Sequence, residues 1–208
     1  MRVEIPEDRP RVEMPLHAGG TVVLLPLSPE DRPYLEEGLS ELSPESRFAR
    51  FGMGLESLSR AELAYLADID QRRHVAWGAV VGDEGAGVGR YFVVGDGRAE
   101  VAITVLDRYQ GTGVGTALLT ALAAVAVADG LEALHIDVSP ANRKVLEWLA
   151  ASGITLDDGG DGLIKGDVPL RGVTVPHADR LVAAMEEFRS LSPPGRDRST
   201  VRQSGRGM

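Results

Sequence analysis

The stretch Asp107-Arg108-Tyr109-Gln110-Gly111-Thr112-Gly113-Val114-Gly115-Thr116 constrains this chain most. An alternating segment, Ala99 to Val105, runs into it and reads as a strand. A helix from about Gly113 to Ala128, apolar on a broad face, runs out of it. Three glycines at alternate positions let the backbone approach a ligand closely. The N–H groups at the helix start have no intrahelical acceptor and sit at the positive end of the helix dipole. A strand, glycine loop and helix in this order suit a pyrophosphate. Spacing then separates the motifs that use this device. A P-loop needs Lys and Ser/Thr after its last glycine, and here Gly115 is followed by Thr116 and Ala117. A dinucleotide fingerprint needs G-x-G-x-x-G directly after its strand. Thr116 stands where the third glycine belongs, and four polar or charged residues separate strand from loop. The pattern that fits is Gln/Arg-x-x-Gly-x-Gly/Ala, met by Gln110, Gly113 and Gly115.

The flanking sequence predicts a mixed, mostly antiparallel sheet flanked by helices, an α/β arrangement. Residues 1–20 are rich in charge and proline and are expected to form an irregular arm. Thr21 to Leu27 reads as a first strand. Ser28-Pro29-Glu30-Asp31, Ser43-Pro44-Glu45 and Ser59-Arg60-Ala61-Glu62 each start like a capped helix, giving two or three short helices over 29–68. His74 to Val81, Val88 to Val94 and Ala99 to Val105 are strands joined by Gly82-Asp83-Glu84-Gly85 and Gly95-Asp96-Gly97, an antiparallel meander. After the helix that Gly130 ends come a strand, Leu134 to Val138, and a helix, Pro140 to Ala151, with Val145, Leu146, Trp148 and Leu149 on its buried face. Ile154–Leu156 and Leu163–Val168 form a closing strand pair. Residues 21–172 thus form one domain. The segment 173–190 is an added helix aligning Leu181, Met185 and Phe188, whose apolar face can pack on its own domain or on a second subunit. Residues 191–208 are expected to be disordered.

Composition narrows the chemistry. The chain has 208 residues and no cysteine, which excludes disulfides, thiolate metal sites and an acyl-cysteine intermediate. A net charge of −9 argues against nucleic acid and suits a cationic partner such as an amine. Only the last residues run against this trend, with Arg189, Arg196, Arg198, Arg202 and Arg206 against Asp197. Met1 to Glu7 carries no apolar signal core, and the run Ala117 to Ala128 is too short to span a bilayer. We therefore expect no membrane span and a cytoplasmic protein.

The loop and the order of elements around it resemble the GNAT acetyltransferase family across roughly residues 21–170. The resemblance implies acetyl-CoA as cosubstrate. Ile103, Thr104 and Val105 would lie along the pantetheine arm, and Gln110, Gly111, Thr112, Gly113, Val114, Gly115 and Thr116 would hold the pyrophosphate. Asn142 matches the family's asparagine on the cofactor arm, but reads equally as a helix cap beside Pro140. The family's tyrosine, donor to the departing thiolate, is replaced by Leu149. Leu42-Ser43-Pro44-Glu45-Ser46-Arg47-Phe48 and Ala99-Glu100-Val101-Ala102, with the loop, are similar to the GNAT domain of bacterial protein-lysine acetyltransferases.

Glu100 is the candidate general base. It shares a strand face with Ala102 and Thr104, while Val101, Ile103 and Val105 share the other. Without cysteine, direct attack of a primary amine on the thioester is the natural route, with protein lysine or a small amine (polyamine or antibiotic) as acceptor. A non-catalytic acyl-CoA sensor and a nucleotide-binding protein are the rival readings. His17, His74, His135 and His177 show no metal-ligand spacing, and no metal is expected. A Gly-x-Ser-x-Gly elbow is absent, which argues against a serine hydrolase.

Overall fold

A computed structural model of the chain describes residues 2–51 and 68–191. The capping signature at Ser59 and the tail after Leu191 lie outside the described residues. Eight strands form one sheet, ordered β1-β2-β3-β4-β5-β6-β8-β7. They are β1 (Val12–Pro15), β2 (Thr21–Pro26), β3 (His74–Val81), β4 (Glu84–Gly95), β5 (Arg98–Val105), β6 (Ala133–Val138), β7 (Leu156–Asp158) and β8 (Ile164–Pro169). The helices are α1 (Arg32–Ser40), α2 (Pro44–Phe51), α3 (Val114–Ala128), α4 (Arg143–Ala151) and α5 (Ala178–Leu191). The expected meander β3–β4–β5 is antiparallel, and β5–β6 is the one parallel pairing among the described strands. The sheet is thus mixed and mostly antiparallel, with helices on its faces, as the sequence predicted.

The first 20 residues differ from the irregular arm expected. Val12 to Pro15 pairs with β2, and Val12, Met14 and Leu16 are buried. The period-2 signal was present but was masked by the charges and prolines around it. An edge strand tolerates such prolines because one row of its N–H groups has no ladder partner. Arg9 secures the same segment. It donates to Pro26 O through Nε (3.2 Å) and Nη2 (2.6 Å), pairs with Asp31 through Nη1 (2.8 Å) and Nη2, and lies over the Phe188 ring at 5.4 Å.

Local chemistry sets the helix ends. The Ser28 N–H donates to the Asp31 carboxylate (2.7 Å), so the reciprocal cap read at this serine forms, opening a 3-10 turn, Pro29–Asp31, before α1. The last domain helix begins at Arg143 rather than Pro140, because Asn142 caps it. Positive φ at Gly130 and Gly153 ends α3 and α4, as their C-terminal glycines suggested.

One sheet face carries Val75, Trp77, Tyr91, Ala99 and Leu134 and is covered by α3. The C-terminal helix α5 packs against α3 and buries Leu181, Ala184, Met185 and Phe188 in the same core. Its apolar face therefore belongs to its own domain. Arg189 fixes the far end of α5, reaching both Asp129 carboxylate oxygens (2.9 and 2.7 Å) and the Gln71 carbonyl (2.6 Å). Leu149, Ile136 and Val138 form a second cluster under α4. On the opposite face, Leu27, Leu35, Ile69 and Ala76 make a smaller cluster under α1. Among the described residues no helix is long and apolar enough to cross a membrane.

Candidate active site

The site begins where two parallel strands part. β5 pairs with β6 only from Arg98↔Ala133 to Val101↔Ile136. Past that point β5 continues to Val105 with β4 as its partner, and β6 continues to Val138 with β8. The edges of β5 and β6 that face each other have no ladder there, leaving a wedge in the sheet. Unpaired strand-edge N–H and C=O groups are obligatory hydrogen-bonding groups in search of a partner. An extended amide-bearing chain laid in the wedge would satisfy them.

The glycine loop forms one lip of this wedge. A 3-10 turn, Asp107–Tyr109, leads to Gly111 and Gly113, whose φ values of +73° and +109° favour glycine. Gly115 brings the start of α3 onto the end of β5: a Cβ there would lie 3.7 Å from Val105 Cγ2. Among the described residues, the backbone N–H groups of Gly113, Val114, Gly115 and Thr116 have no backbone acceptor, and the first bond closing the helix is Ala117 N to Gly113 O (2.9 Å). Free N–H groups at a helix start suit an anion, and these stand at the end of the unpaired strand edge.

The sequence-predicted residues take distinct positions around it. Ile103 and Val105 turn their side chains into the core under α3, so only their backbone can serve a ligand. Thr104 lies on the other face, lining a cleft with Leu27, Leu35, Val88 and Arg90. Val114 is fully buried and contributes its N–H alone. Gly111 and Thr116 are exposed. The Thr112 hydroxyl donates to Tyr109 O (2.6 Å). Gln110 braces the loop from behind: its Nε2 lies 3.2 Å from Ser46 Oγ, 3.3 Å from Val105 O and 3.4 Å from Asp107 Oδ1. Asn142 stands just past the end of β6, on the opposite lip, and its Oδ1 accepts from Val145 N (3.4 Å). The cap reading of Asn142 is therefore realised.

Glu100 sits near the apex, one residue before the last β5–β6 pair, exposed on the face opposite α3. It is the centre of a cross-strand row, His74↔Phe92↔Glu100↔His135↔Asp167. His74 stacks on Phe92 with ring centroids 4.0 Å apart. Burial pushes the His74 ring down to about 4, so it is neutral at pH 7. His135 lies with Nδ1 2.8 Å from Asp167 Oδ1 and Nε2 3.2 Å from Asp137 Oδ1. Glu100, Asp137 and Asp167 are exposed together on this face, with Arg98 Nη1 3.9 Å from Asp167 and Lys165 opposite Asp137 in the β6–β8 register. Leu149 is fully buried in the cluster under α4 and supplies no acid.

Sequence reasoning missed the groups that hold the loop. Asp107 accepts from Ser43 N (3.0 Å), Ser43 Oγ (3.1 Å) and Ser46 Oγ (2.6 Å), tying the loop to the start of α2. Burial raises the Asp107 carboxyl, but the bonds from Ser46 and Ser43 outweigh it and hold the group below the usual carboxylate range. Arg108 pairs with Glu41 (2.7 Å) and Glu84 (3.2 Å), and the Tyr109 hydroxyl donates to Glu84 (2.9 Å). The one signal was the serine-proline helix start at Ser43; its partner 64 residues away carries no sequence mark.

Comparison with known proteins identifies the family. Residues 38–153 match the model of the acetyltransferase (GNAT) family. An acetyltransferase of Pseudomonas aeruginosa is 34% identical over 143 residues, 66% of this chain and 77% of the relative. Acetyltransferase Pat of Mycolicibacterium smegmatis is 31% identical over 178 residues, 82% of this chain and 53% of that protein, so the chain spans about half its length. The solved GNAT domain of S. lividans PAT superposes with a TM-score of 0.72 at 30% identity, covering 80% of this chain and 100% of that one. The chain belongs to the GNAT family of acetyltransferases, enzymes that use acetyl-CoA.

A substitution at Gly113 tests the loop. The φ of +109° strains any L side chain, and a Cβ would meet His17 Nδ1 at 2.7 Å. Gly113→Ala is expected to weaken acetyl-CoA binding about tenfold or more, read by titration calorimetry. Unchanged affinity would show that the loop conformation is irrelevant to the donor.

Proposed function

We propose that the chain is an acetyl-CoA-dependent N-acetyltransferase that acetylates a primary amine, with protein lysine as the favoured acceptor and Glu100 as general base. The observation that carries this is the wedge itself, with the unpaired N–H groups of Gly113 to Thr116 on one lip and the exposed Glu100 carboxylate at its apex. In this reading the pyrophosphate lies at the start of α3 and the pantetheine arm lies along Ile103, Thr104 and Val105, pairing with the backbone groups of Ile103 and Val105 that β4 leaves free. The amine approaches from the open face that carries Glu100. Its nitrogen forms the C–N bond to the acetyl carbonyl as the C–S bond breaks and sulfur leaves with the electron pair. Glu100, directly or through one water, takes the proton that turns the arriving ammonium into a neutral amine, and the second proton, lost from nitrogen as the amide forms, passes to solvent. With Leu149 buried, solvent is the proton source for the thiolate.

The preference for lysine is supported by the similarity of the Leu42–Phe48 segment, the Ala99–Ala102 segment and the loop to protein-lysine acetyltransferases. The likeness to Pat and to the PAT domain supports it further. Incubation with acetyl-CoA and lysine-containing proteins, beside polyamines and aminoglycosides, followed by mass spectrometry, tests it. A mass gain of one acetyl group on lysine is expected. Transfer to the small amines alone would replace the acceptor, and saturable acetyl-CoA binding without any transfer would favour the sensor reading.

A further inference from the structure

We propose that His17 is a positioning residue for the pyrophosphate loop, fixing the directions in which its N–H groups point. The inference rests on the reading that this loop holds acetyl-CoA. His17 lies 94 residues before the loop in sequence, in the turn between β1 and β2, and its Nε2 donates to Gly111 O at 3.0 Å. The next residue of the turn, Ala18, donates its N–H to Thr112 O at 3.4 Å. Two successive loop carbonyls are therefore turned toward the β1–β2 turn. In a trans peptide the C=O and the following N–H point in opposite directions. Holding the Thr112 carbonyl on the turn side thus aims the Gly113 N–H away from it, to the side where the other free N–H groups of the helix start cluster.

The turn is a firm support. Leu16 N donates to Gly20 O (3.0 Å) and Gly19 N to Leu16 O (3.0 Å). Gly19 and Gly20 take the positive φ values, +93° and +82°, that close it. The buried Leu16 and the Pro15↔Thr21 pair anchor it to the sheet. The imidazole also fills the space beside Gly113, where a Cβ would come within 2.7 Å of Nδ1. Glycine at 113 is thus required twice, by its φ and by the ring packed against it. His17 is exposed and belongs to none of the three core clusters, so its removal leaves the fold's apolar packing intact.

Steady-state kinetics and calorimetry on the full chain separate positioning from mere structure. His17→Ala is expected to raise KM and Kd for acetyl-CoA about three- to tenfold, the worth of one neutral hydrogen bond. Its kcat at saturating donor and its melting temperature should stay near the wild-type values. His17→Gln, which offers an amide N–H of similar reach, is expected to recover most of the affinity. Wild-type affinity in His17→Ala, a loss matched by a fall in melting temperature, or no recovery in His17→Gln would overturn the proposal. Wild-type protein that binds no acetyl-CoA, seen in the same titrations, would overturn the loop assignment and this inference with it.

Discussion

Glu100→Gln is expected to lower kcat by about 10²- to 10⁴-fold near neutral pH, the usual contribution of a positioned general base. The amide keeps the size of the carboxylate but accepts no proton. A lysine acceptor has an unperturbed pKa of about 10.4, so at neutral pH nearly all of it arrives charged. Residual activity of the variant should therefore climb with pH as the acceptor deprotonates by itself, narrowing the gap to wild type. KM for acetyl-CoA should change little, because the groups assigned to the donor lie beyond Val101 on the unpaired edge of β5 and in the loop. Stability should change little too, since Glu100 is exposed. Thiol release measured across pH for both proteins reads all of this. Full activity of the variant at every pH would remove Glu100 from the mechanism.

Arg9→Ala is expected to have the largest effect on stability, about 3–5 kcal/mol, with a fall in melting temperature of roughly 10 °C. The side chains of Arg9 and Asp31 are only 11% and 9% exposed. Truncating the arginine leaves the Asp31 carboxylate buried with the Ser28 N–H and hydroxyl as its remaining partners. It also frees the Pro26 carbonyl and uncovers the Phe188 ring. Replacing both partners by apolar residues of similar volume should recover part of the loss, because no unpaired charge then stays behind. Urea unfolding of the single and double variants measures the difference. A loss under about 1 kcal/mol for the single variant would mean that this pair behaves as a surface ion pair.

The parts of the fold legible in sequence were those written in local pattern. Turn chemistry at Gly82–Gly85 and Gly95–Gly97 announced the β3–β4–β5 meander, and Gly130 and Gly153 marked helix ends. The loop was legible because a positive φ at Gly111 and Gly113 demands a residue type that sequence displays directly. Strand β1 was not, since four residues that follow Pro10 and end on Pro15 give too short an alternation to rise above the charges around it. The wedge was beyond sequence altogether. Nothing in Ala102 to Val105 says that their neighbour strand leaves them, because that depends on where β6 turns toward β8. The supports of the loop, His17 and the Ser43–Asp107–Ser46 cluster, were invisible for the same reason, being contacts across 61 to 94 residues. His135 looked like an ordinary sheet residue, and its place beside Glu100 follows only from the parallel register.

The proposed function stands on acetyl-CoA being held by the segment Gly111 to Thr116 and the opened edge of β5. Titration calorimetry of the purified chain with acetyl-CoA, with ATP and NAD as controls, tests it most directly. Saturable binding of acetyl-CoA at micromolar concentration is expected, with none of comparable strength for ATP or NAD, since the loop lacks the P-loop lysine and the third dinucleotide glycine. Absence of acetyl-CoA binding, or preferential binding of ATP or NAD, would contradict it and leave the glycine loop as a site for another phosphate or as a structural turn.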